Sequence, residues 1–396
     1  MKKWQRTVLT LISCTLNGEK PQAGIDMDLR VLSEFCISQQ IFGLIYRALE
    51  MTDDFYENSD FDDIKTKNEM FYWINFQQLF NIQNISEIFN KNGIDFMPLK
   101  GAVLKNIYPM PEMRTMGDID ILFREKDKEK IVKLMQENGY AFLKESDHEV
   151  VFECVPTAVE LHKRLIPSYN LDYNEYYKDS WRFAKPVKNN EYAMSNEDFF
   201  VYIFTHFAKH YRDKGAGIKY IVDFYVYLKK FPDLDKKYIE SELEKLKLLK
   251  FYENIIKLIG VWFYGEEEDE TSTFLTDKIF TSGVYGRSEN AELSRLLKSS
   301  KKNKHYRFIE FMRLIFPTKK DMKDLYPVLK KHIILLPWFY FVRIISKLIS
   351  PKKTKKAVKT VKMLKGSPSE IKKYRSELNY VGLDYNFYDE KTEKEN

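Results

Sequence analysis

Two aspartates lie one residue apart in the short apolar run "GDIDILF", at Asp118 and Asp120. Side chains at positions i and i+2 of a β-strand share one face, so these carboxylates would project together while Ile119 and Ile121 enter a core. Like charges held this close need a cation to balance them. Mg²⁺ is commonly bound by one or two carboxylates together with substrate phosphates, so the pattern favours a metal site. A solvated strand face is the alternative.

A third carboxylate lies in a similar setting in "TAVELH". Glu160 alternates with apolar neighbours, which places it on the polar side of a second apolar strand. If the two strands are neighbours, Glu160 joins Asp118 and Asp120 in one cluster that can hold Mg²⁺ or Mn²⁺ for phosphoryl transfer. His162 lies on the same strand face as Glu160. It is predicted either to touch the nucleotide or the acceptor, or to form a hydrogen bond at the sheet edge.

The segment "MPLKGAVLK" is typical of a strand, a tight turn and a short helix. A helix that begins through a glycine can turn backbone N–H groups towards an anion, and a lysine adds a point charge. Lys100 and Gly101 are therefore candidates for phosphate binding. Arg114 precedes the paired aspartates and is predicted either to reach a phosphate or to pair with an acidic neighbour.

The elements that must position these residues follow from the hydrophobic periodicity. Residues 1–92 are predicted to form packing helices, the last of them aromatic and ending at Asn92-Gly93. Residues 93–195 alternate in the manner of strands and predict an α+β core with a small mixed sheet. Residues 196–384 return to a helical pattern, and residues 385–396 form a polar tail.

Composition limits the class of protein. The 396 residues include 44% hydrophobic and 31% charged residues, with a net charge of +6, which indicates a globular chain rather than a disordered one. Three separated cysteines without metal-ligand spacing are typical of a reducing cytoplasm. The N-terminal apolar run is short and interrupted, which favours an amphipathic helix over a targeting segment. No run reaches the roughly 18 uncharged apolar residues of a membrane span.

Other polar residues carry weaker signals. His206 and His210 lie one helical turn apart and suit either a metal pair or a satisfied buried histidine; their apolar neighbours favour the second. Asp223, within an apolar helix pattern, is expected to hold His206 or Arg212. His148 precedes a predicted strand and is a weaker site candidate.

Residues 332–366 join an apolar stretch to a basic one. Ile333 to Val342 carry no charge, and seven lysines without an acid lie between Pro351 and Gly366. The apolar part is too short to span a bilayer, so it is either a buried helix or an interfacial helix. The basic part would favour an anionic membrane surface or a nucleic acid.

The pattern "LKGAVL…Y…R…DIDIL…GY…H…VELH" resembles the bacterial family of uncharacterised nucleotidyltransferases within the DNA polymerase β-like superfamily. The resemblance is carried by residues 97–164. It implies that Asp118, Asp120 and Glu160 bind Mg²⁺ and act in catalysis. In this chain Ala102 follows the turn glycine, where the superfamily commonly has serine or glycine.

Together these features predict a Mg²⁺-dependent enzyme that moves a nucleoside monophosphate from an NTP to a hydroxyl acceptor and releases pyrophosphate. The acceptor can be a sugar, a small molecule, a protein or RNA. The protein is expected in the cytoplasm, with the inner membrane face as a further location. The alternative is a catalytically weak or inactive scaffold that keeps the fold, or a membrane-surface protein of envelope polysaccharide metabolism.

Overall fold

The computed structural model contains a seven-stranded mixed sheet preceded and followed by helices, which confirms the predicted α+β class. The residues described are 1–22, 27–52, 55–168, 170–284, 286, 288–302, 305–349 and 368–384. They divide between two units, Met1–Arg287 with Val381–Leu383 and Ser288–Tyr380 with Asp384–Asn396. The predicted boundaries at residues 92/93 and 195/196 fall inside the first unit, and the four-region division stays a prediction.

The sheet lies in the first unit. Its strands are β1 (Phe96–Pro98), β2 (Asp118–Phe123), β3 (Ala141–Glu145), β4 (Glu149–Cys154), β5 (Thr157–His162), β6 (Lys185–Lys188) and β7 (Glu191–Ala193). Their order is β3-β4-β5-β2-β1-β7-β6. The β2–β5 and β1–β7 pairs are parallel and the other pairs are antiparallel. The strand β3 was missed in the sequence because all of its side chains are exposed and show no alternation.

Eleven α-helices of the first unit lie before, between and after these strands in the described part of the chain. In the first unit they are α1 (Lys3–Asn17), α2 (Leu29–Ser38), α3 (Phe42–Glu50), α4 (Phe61–Lys91), α5 (Lys100–Leu104), α6 (Lys128–Glu137), α7 (Asn196–Asp213), α8 (Ile218–Lys230), α9 (Lys236–Lys245), α10 (Leu249–Phe263) and α11 (Glu270–Ser282). Short 3₁₀ turns occupy Lys105–Ile107, Pro111–Met113, Glu125–Asp127 and Ser180–Phe183.

The core that fixes β2 lies on one face of the sheet. Ile119 and Ile121 are fully buried there, against Phe89 of α4 and Ile131 of α6. Burying each aliphatic side chain contributes about 1.5–3 kcal/mol, so a one-residue slip of β2 would be costly. Because side chains alternate along the strand, this packing holds Asp120 on the opposite face.

The predicted helix boundaries near the core are confirmed. The helix α4 ends at Lys91 with Asn92 as its C-cap residue, and Gly93 follows with φ +63°, a left-handed conformation that glycine adopts without strain. The helix α7 begins after Ser195, whose hydroxyl accepts a hydrogen bond from the backbone N–H of Asp198. The first half of α4 packs less than expected, since Tyr72 and Trp73 are more than half exposed.

The second unit is helical in its described part. It contains α12 (Ser288–Lys302), α13 (Tyr306–Ile315), α14 (Lys319–Leu325) and α15 (Leu336–Ile349), with 3₁₀ turns at Pro327–Lys330 and Ile333–Leu335 and a further helical segment at 368–380. Ile334, Trp338 and Phe341 are exposed, which contradicts the first of the two alternatives for this apolar stretch, a buried helix. The lysines at 352–365 lie outside the described residues. None of the helices described combines the length and the apolar character needed to cross a bilayer.

Candidate active site

The three predicted carboxylates lie on two neighbouring parallel strands. The register of β2 and β5 places Asp120 beside Glu160, and Asp118 precedes Asp120 by two residues on the same face. Nε2 of His162 lies 2.7 Å from Oδ1 of Asp120 and 3.8 Å from Oε2 of Glu160. We call Asp118, Asp120 and Glu160 the carboxylate cluster.

The carboxylate cluster is crowded with negative charge. Burial, followed by the charges of Asp120 and Glu149, raises the pKa of Glu160 to about 7. Burial and then the charge of Asp120 also raise the pKa of Asp118. A bound cation would favour ionisation of both groups.

Asp120 is the exception within the cluster. Burial alone would raise its pKa, but the charge of Lys100 and the hydrogen bond from His162 hold that pKa well below its ordinary value. Nζ of Lys100 lies 2.7 Å from Oδ1 of Asp120. Asp120 is therefore ionised at neutral pH while Glu160 is poised between its two protonation states.

His162 is held as a neutral imidazole. Burial, followed by the charge of Lys100, lowers its pKa. A neutral ring that donates its Nε2–H to Asp120 carries a lone pair on Nδ1. Among the residues that the structure describes, this buried Nδ1 has no hydrogen-bond partner. The ring therefore offers an unused ligand atom inside the site.

The turn between β1 and α5 approaches other side chains closely. Lys100 has φ +43°, a left-handed conformation that is unusual for a residue with a Cβ atom. A Cβ atom added at Gly101 would lie 2.5 Å from Sδ of Met116 and 2.9 Å from Nη1 of Arg114. Glycine therefore allows the Met116 and Arg114 side chains to approach this turn, and the Lys100 ammonium reaches Asp120.

Arg114 forms a buried ion pair with Asp223 of α8. Its Nε and Nη2 lie 2.8 and 2.9 Å from the two carboxylate oxygens, and the Tyr108 hydroxyl donates to the same carboxylate at 2.7 Å. The predicted partners of Asp223 were wrong: Arg212 pairs instead with Asp172 at 2.6 Å. The reason is that the chain segment before β2 folds against α8 and supplies the closer cation.

Helices α7 and α8 contribute to the lining of the same cavity four residues that we call the basic wall: His206, Lys209, His210 and Lys219. Burial and then the charge of Lys100 lower the pKa of Lys209 to about 8, and burial and then the charge of Arg114 lower the pKa of Lys219 to about 7. Nε2 of His206 lies 3.1 Å from Nε2 of His210, so each ring has a partner. The two lysines and the two imidazoles can donate hydrogen bonds, and the lysines repel neighbouring cations, so an anionic ligand would suit this side of the cavity.

The strands and the basic wall enclose one cavity of about 370 Å³. This volume lies within the ~300–1,000 Å³ of small-molecule sites. Its lining includes all seven site residues predicted from the sequence, namely Lys100, Gly101, Arg114, Asp118, Asp120, Glu160 and His162. The structure brings these residues together, and their individual roles stay predictions.

A family model described as "Uncharacterised nucleotidyltransferase" matches residues 26–264, well over half of the chain. The chain belongs to this nucleotidyltransferase family. No sequence among curated proteins matches it significantly. Among solved structures, that of the antibiotic-resistance factor ANT(2'')-Ia matches 43% of this chain and 93% of that chain, with 11% identity and a TM-score of 0.34. Family membership implies a nucleotide substrate.

Sequence reasoning missed several residues of this nucleotidyltransferase cavity. Lys209 and Lys219 were not singled out because lysines on helices usually face solvent. Glu149 was also missed, although it begins β4 directly after His148. Its position follows from the antiparallel register of β4 and β5, which places it beside His162. The signal available in the sequence was a histidine followed by a glutamate, directly before the apolar run 150–152.

Proposed function

We propose that this protein transfers a nucleoside monophosphate from an NTP to a hydroxyl acceptor and releases pyrophosphate, with Mg²⁺ or Mn²⁺ as cofactor. The observation that carries the proposal is that the carboxylate cluster and the basic wall line the same cavity. The carboxylate cluster brings several negative charges together, and the basic wall brings positive charges together. A metal–triphosphate complex would supply positive charge to the strands and negative charge to the helices.

The residues present fit a divalent cation. Burial, followed by the charges of Asp120 and Glu149, raises the pKa of Glu160, and Nε2 of His162 lies 3.8 Å from its Oε2. Asp120, Glu160 and His162 offer ligand atoms that all lie within 4.8 Å of one another. Asp118, Asp120 and Glu160 would hold the cation, which when bound would neutralise the triphosphate and make the acceptor hydroxyl more acidic.

The chain's own groups would then serve the transfer. The acceptor oxygen bonds to the α-phosphorus, the bond from that phosphorus to the bridging oxygen breaks, and pyrophosphate leaves. Glu160, ionised when the cation is bound, would help to remove the hydroxyl proton as a general base. His162 would contact the nucleotide or the acceptor from the neighbouring strand position.

Phosphate positioning is proposed for Lys100, Gly101 and Arg114. The Lys100 ammonium lies at the carboxylate cluster, where the charge of a bound phosphate would be close. In Arg114, Nε and Nη2 bind Asp223, and the remaining Nη1 lies on the Gly101 side. Lys209 and Lys219 of the basic wall would add charge to the far side of the triphosphate.

The acceptor class stays open between a sugar, a small molecule, a protein and RNA. Contact of residues 332–366 with an anionic membrane surface also stays a prediction. Exposed Trp338 and Phe341 support it, since aromatic side chains favour the membrane interface.

Isothermal titration of each NTP with Mg²⁺ or Mn²⁺ tests the proposal. The wild-type protein should bind a nucleotide, and the Asp118→Asn/Asp120→Asn variant should lose that binding. The matched control is Glu129→Gln/Glu137→Gln, which removes two exposed carboxylates from α6. Absence of nucleotide binding by wild-type protein with either metal rejects the proposal.

Incubation with labelled NTP and cell extract separates the enzyme from the scaffold. Labelled product that disappears in the aspartate double variant supports transfer. Nucleotide binding without any labelled product favours the inactive scaffold.

A further inference from the structure

A second group of metal-ligating side chains lies beside the carboxylate cluster. Glu149 begins β4 and is the register partner of His162 at the end of β5. His148 precedes Glu149, and its backbone carbonyl accepts a 2.7 Å hydrogen bond from the N–H of Lys163, the residue after His162. We call His148, Glu149 and His162 the His–Glu triad. Its ligand atoms all lie within 4.8 Å of one another.

The His–Glu triad combines burial with access. His162 is 3% exposed and Glu149 is 8% exposed, so two of the three groups are shielded from bulk water. Nε2 of His148 lies 3.0 Å from Oε2 of Glu149. All three residues line the cavity, which gives an ion a path to them.

Both histidines have one ring nitrogen held by an oxygen. Nε2 of His162 is bonded to Asp120 at 2.7 Å, and Nδ1 of His148 lies 3.2 Å from the Ser146 hydroxyl. Metal-binding histidines almost always use one nitrogen in this way, because the outer hydrogen bond fixes the tautomer and the ring orientation. The second nitrogen of His162, Nδ1, is buried and lacks a partner among the described residues.

We propose that the His–Glu triad binds one divalent transition-metal ion of the Zn²⁺ type. Two imidazoles and one carboxylate suit such an ion, whereas Mg²⁺ prefers oxygen ligands throughout. Three protein ligands leave a further position open to water or to a substrate oxygen. Asp120 orients His162 from the far side of the ring, which couples the two metal sites through one hydrogen bond. The proposal does not depend on nucleotide transfer.

Metal titration of the full chain tests this site. Metal-stripped protein is titrated with Co²⁺, followed by visible absorption, and then with Zn²⁺, in excess Mg²⁺ and without nucleotide. Wild-type protein should bind one Zn²⁺ that Mg²⁺ does not displace. His148→Gln and Glu149→Gln should weaken binding by about 100-fold or more, since even outer-shell changes cost about 10–100-fold.

The matched control is His206→Gln, which makes the same change on the opposite wall of the cavity. It should bind Zn²⁺ as the wild type does. Thermal unfolding of each metal-free variant shows whether it is folded; His148→Gln decides the matter if Glu149→Gln unfolds, because His148 is the more exposed. Zn²⁺ binding that His148→Gln leaves unchanged overturns the proposal. So does displacement by Mg²⁺, or a loss of binding in His206→Gln.

Discussion

Two ion pairs line the same cavity and differ in how completely the cation of each pair balances the carboxylates around it. We call Arg114–Asp223 the matched pair. Arg114 and Asp223 share two hydrogen bonds, and Tyr108 adds a third to the carboxylate. Lys100 meets Asp120 through one oxygen, with Glu160 and Asp118 crowded beside it. The first pair therefore satisfies its own charges, whereas the second leaves surplus carboxylates.

The difference indicates which pair contributes more to stability and which contributes more to binding. A bidentate, buried arginine–carboxylate pair fixes two chain segments in register, here the loop before β2 and the helix α8. A surplus of like charge is unfavourable in the protein alone and becomes favourable when a ligand of opposite charge binds. On this basis, variants of the first pair should have the larger effect on stability, and variants of the second should have the larger effect on function.

Breaking the matched pair should have the largest effect. Arg114→Met leaves Asp223 as a buried charge without its cation, and we expect it to lower the free energy of unfolding by about 3–5 kcal/mol. Lys100→Met should cost clearly less, because Asp120 keeps the hydrogen bond from His162 and faces the cavity. Urea unfolding of both variants without nucleotide measures the contrast. Equal costs would remove the distinction between the two pairs.

A substitution in the carboxylate cluster should instead lower the rate of the reaction. Asp120→Asn removes a proposed metal ligand and the partner of both Lys100 and His162. We therefore expect transferase activity to fall about 100-fold or more, which corresponds to an activation free energy higher by at least about 2.7 kcal/mol. The variant should still fold, since it also relieves like-charge crowding around Glu160. Rate measurements at saturating NTP and metal test this. Wild-type activity in a folded Asp120→Asn variant would argue against the proposed site.

The sequence could predict the strand side of the site because it depends on local periodicity. The alternation around Asp118 and Asp120 alone indicates which side chains share a face. Arg114 shows the limit of that reasoning: its partner Asp223 lies 109 residues away on a helix whose orientation is set by packing. The basic wall could not be predicted for the same reason, since the spacing of residues along α7 does not reveal which face of the helix lines the cavity.

A lysine of the basic wall should have a moderate effect. Burial and then the charge of Lys100 lower the pKa of Lys209 to about 8, and a bound triphosphate would relieve that repulsion. Lys209→Met should raise the KM for the NTP about tenfold, equivalent to about 1.4 kcal/mol, with little change in kcat. Lys237→Met, on the exposed side of α9, is the matched control. Equal KM values for the two variants would exclude Lys209 from substrate binding.

The smallest effect concerns the pH dependence of stability near the matched pair. Lys105 is fully buried beside Arg114, and its ammonium donates to the Arg114 carbonyl oxygen at 3.0 Å. Burial, followed by the charge of Arg114, lowers the pKa of Lys105 from 10.5 to about 7. Between these two values the unfolded chain binds more protons than the folded chain, so the stability contributed by this group rises with pH. Below pH ~7 both states are protonated and the full penalty of the buried charge remains.

Lys105→Met should therefore flatten the stability profile above neutral pH. We expect the difference between wild type and variant to change by up to about 1 kcal/mol from pH ~7 to pH ~8, since one pKa unit corresponds to about 1.4 kcal/mol. Urea unfolding at a series of pH values measures this difference, and subtraction removes the titration of the neighbouring Lys219. Parallel profiles would mean that Lys105 does not titrate in this range. A flattened profile would show that the Arg114 region is fixed tightly enough to depress the pKa of a neighbouring lysine, as its matched hydrogen bonds imply.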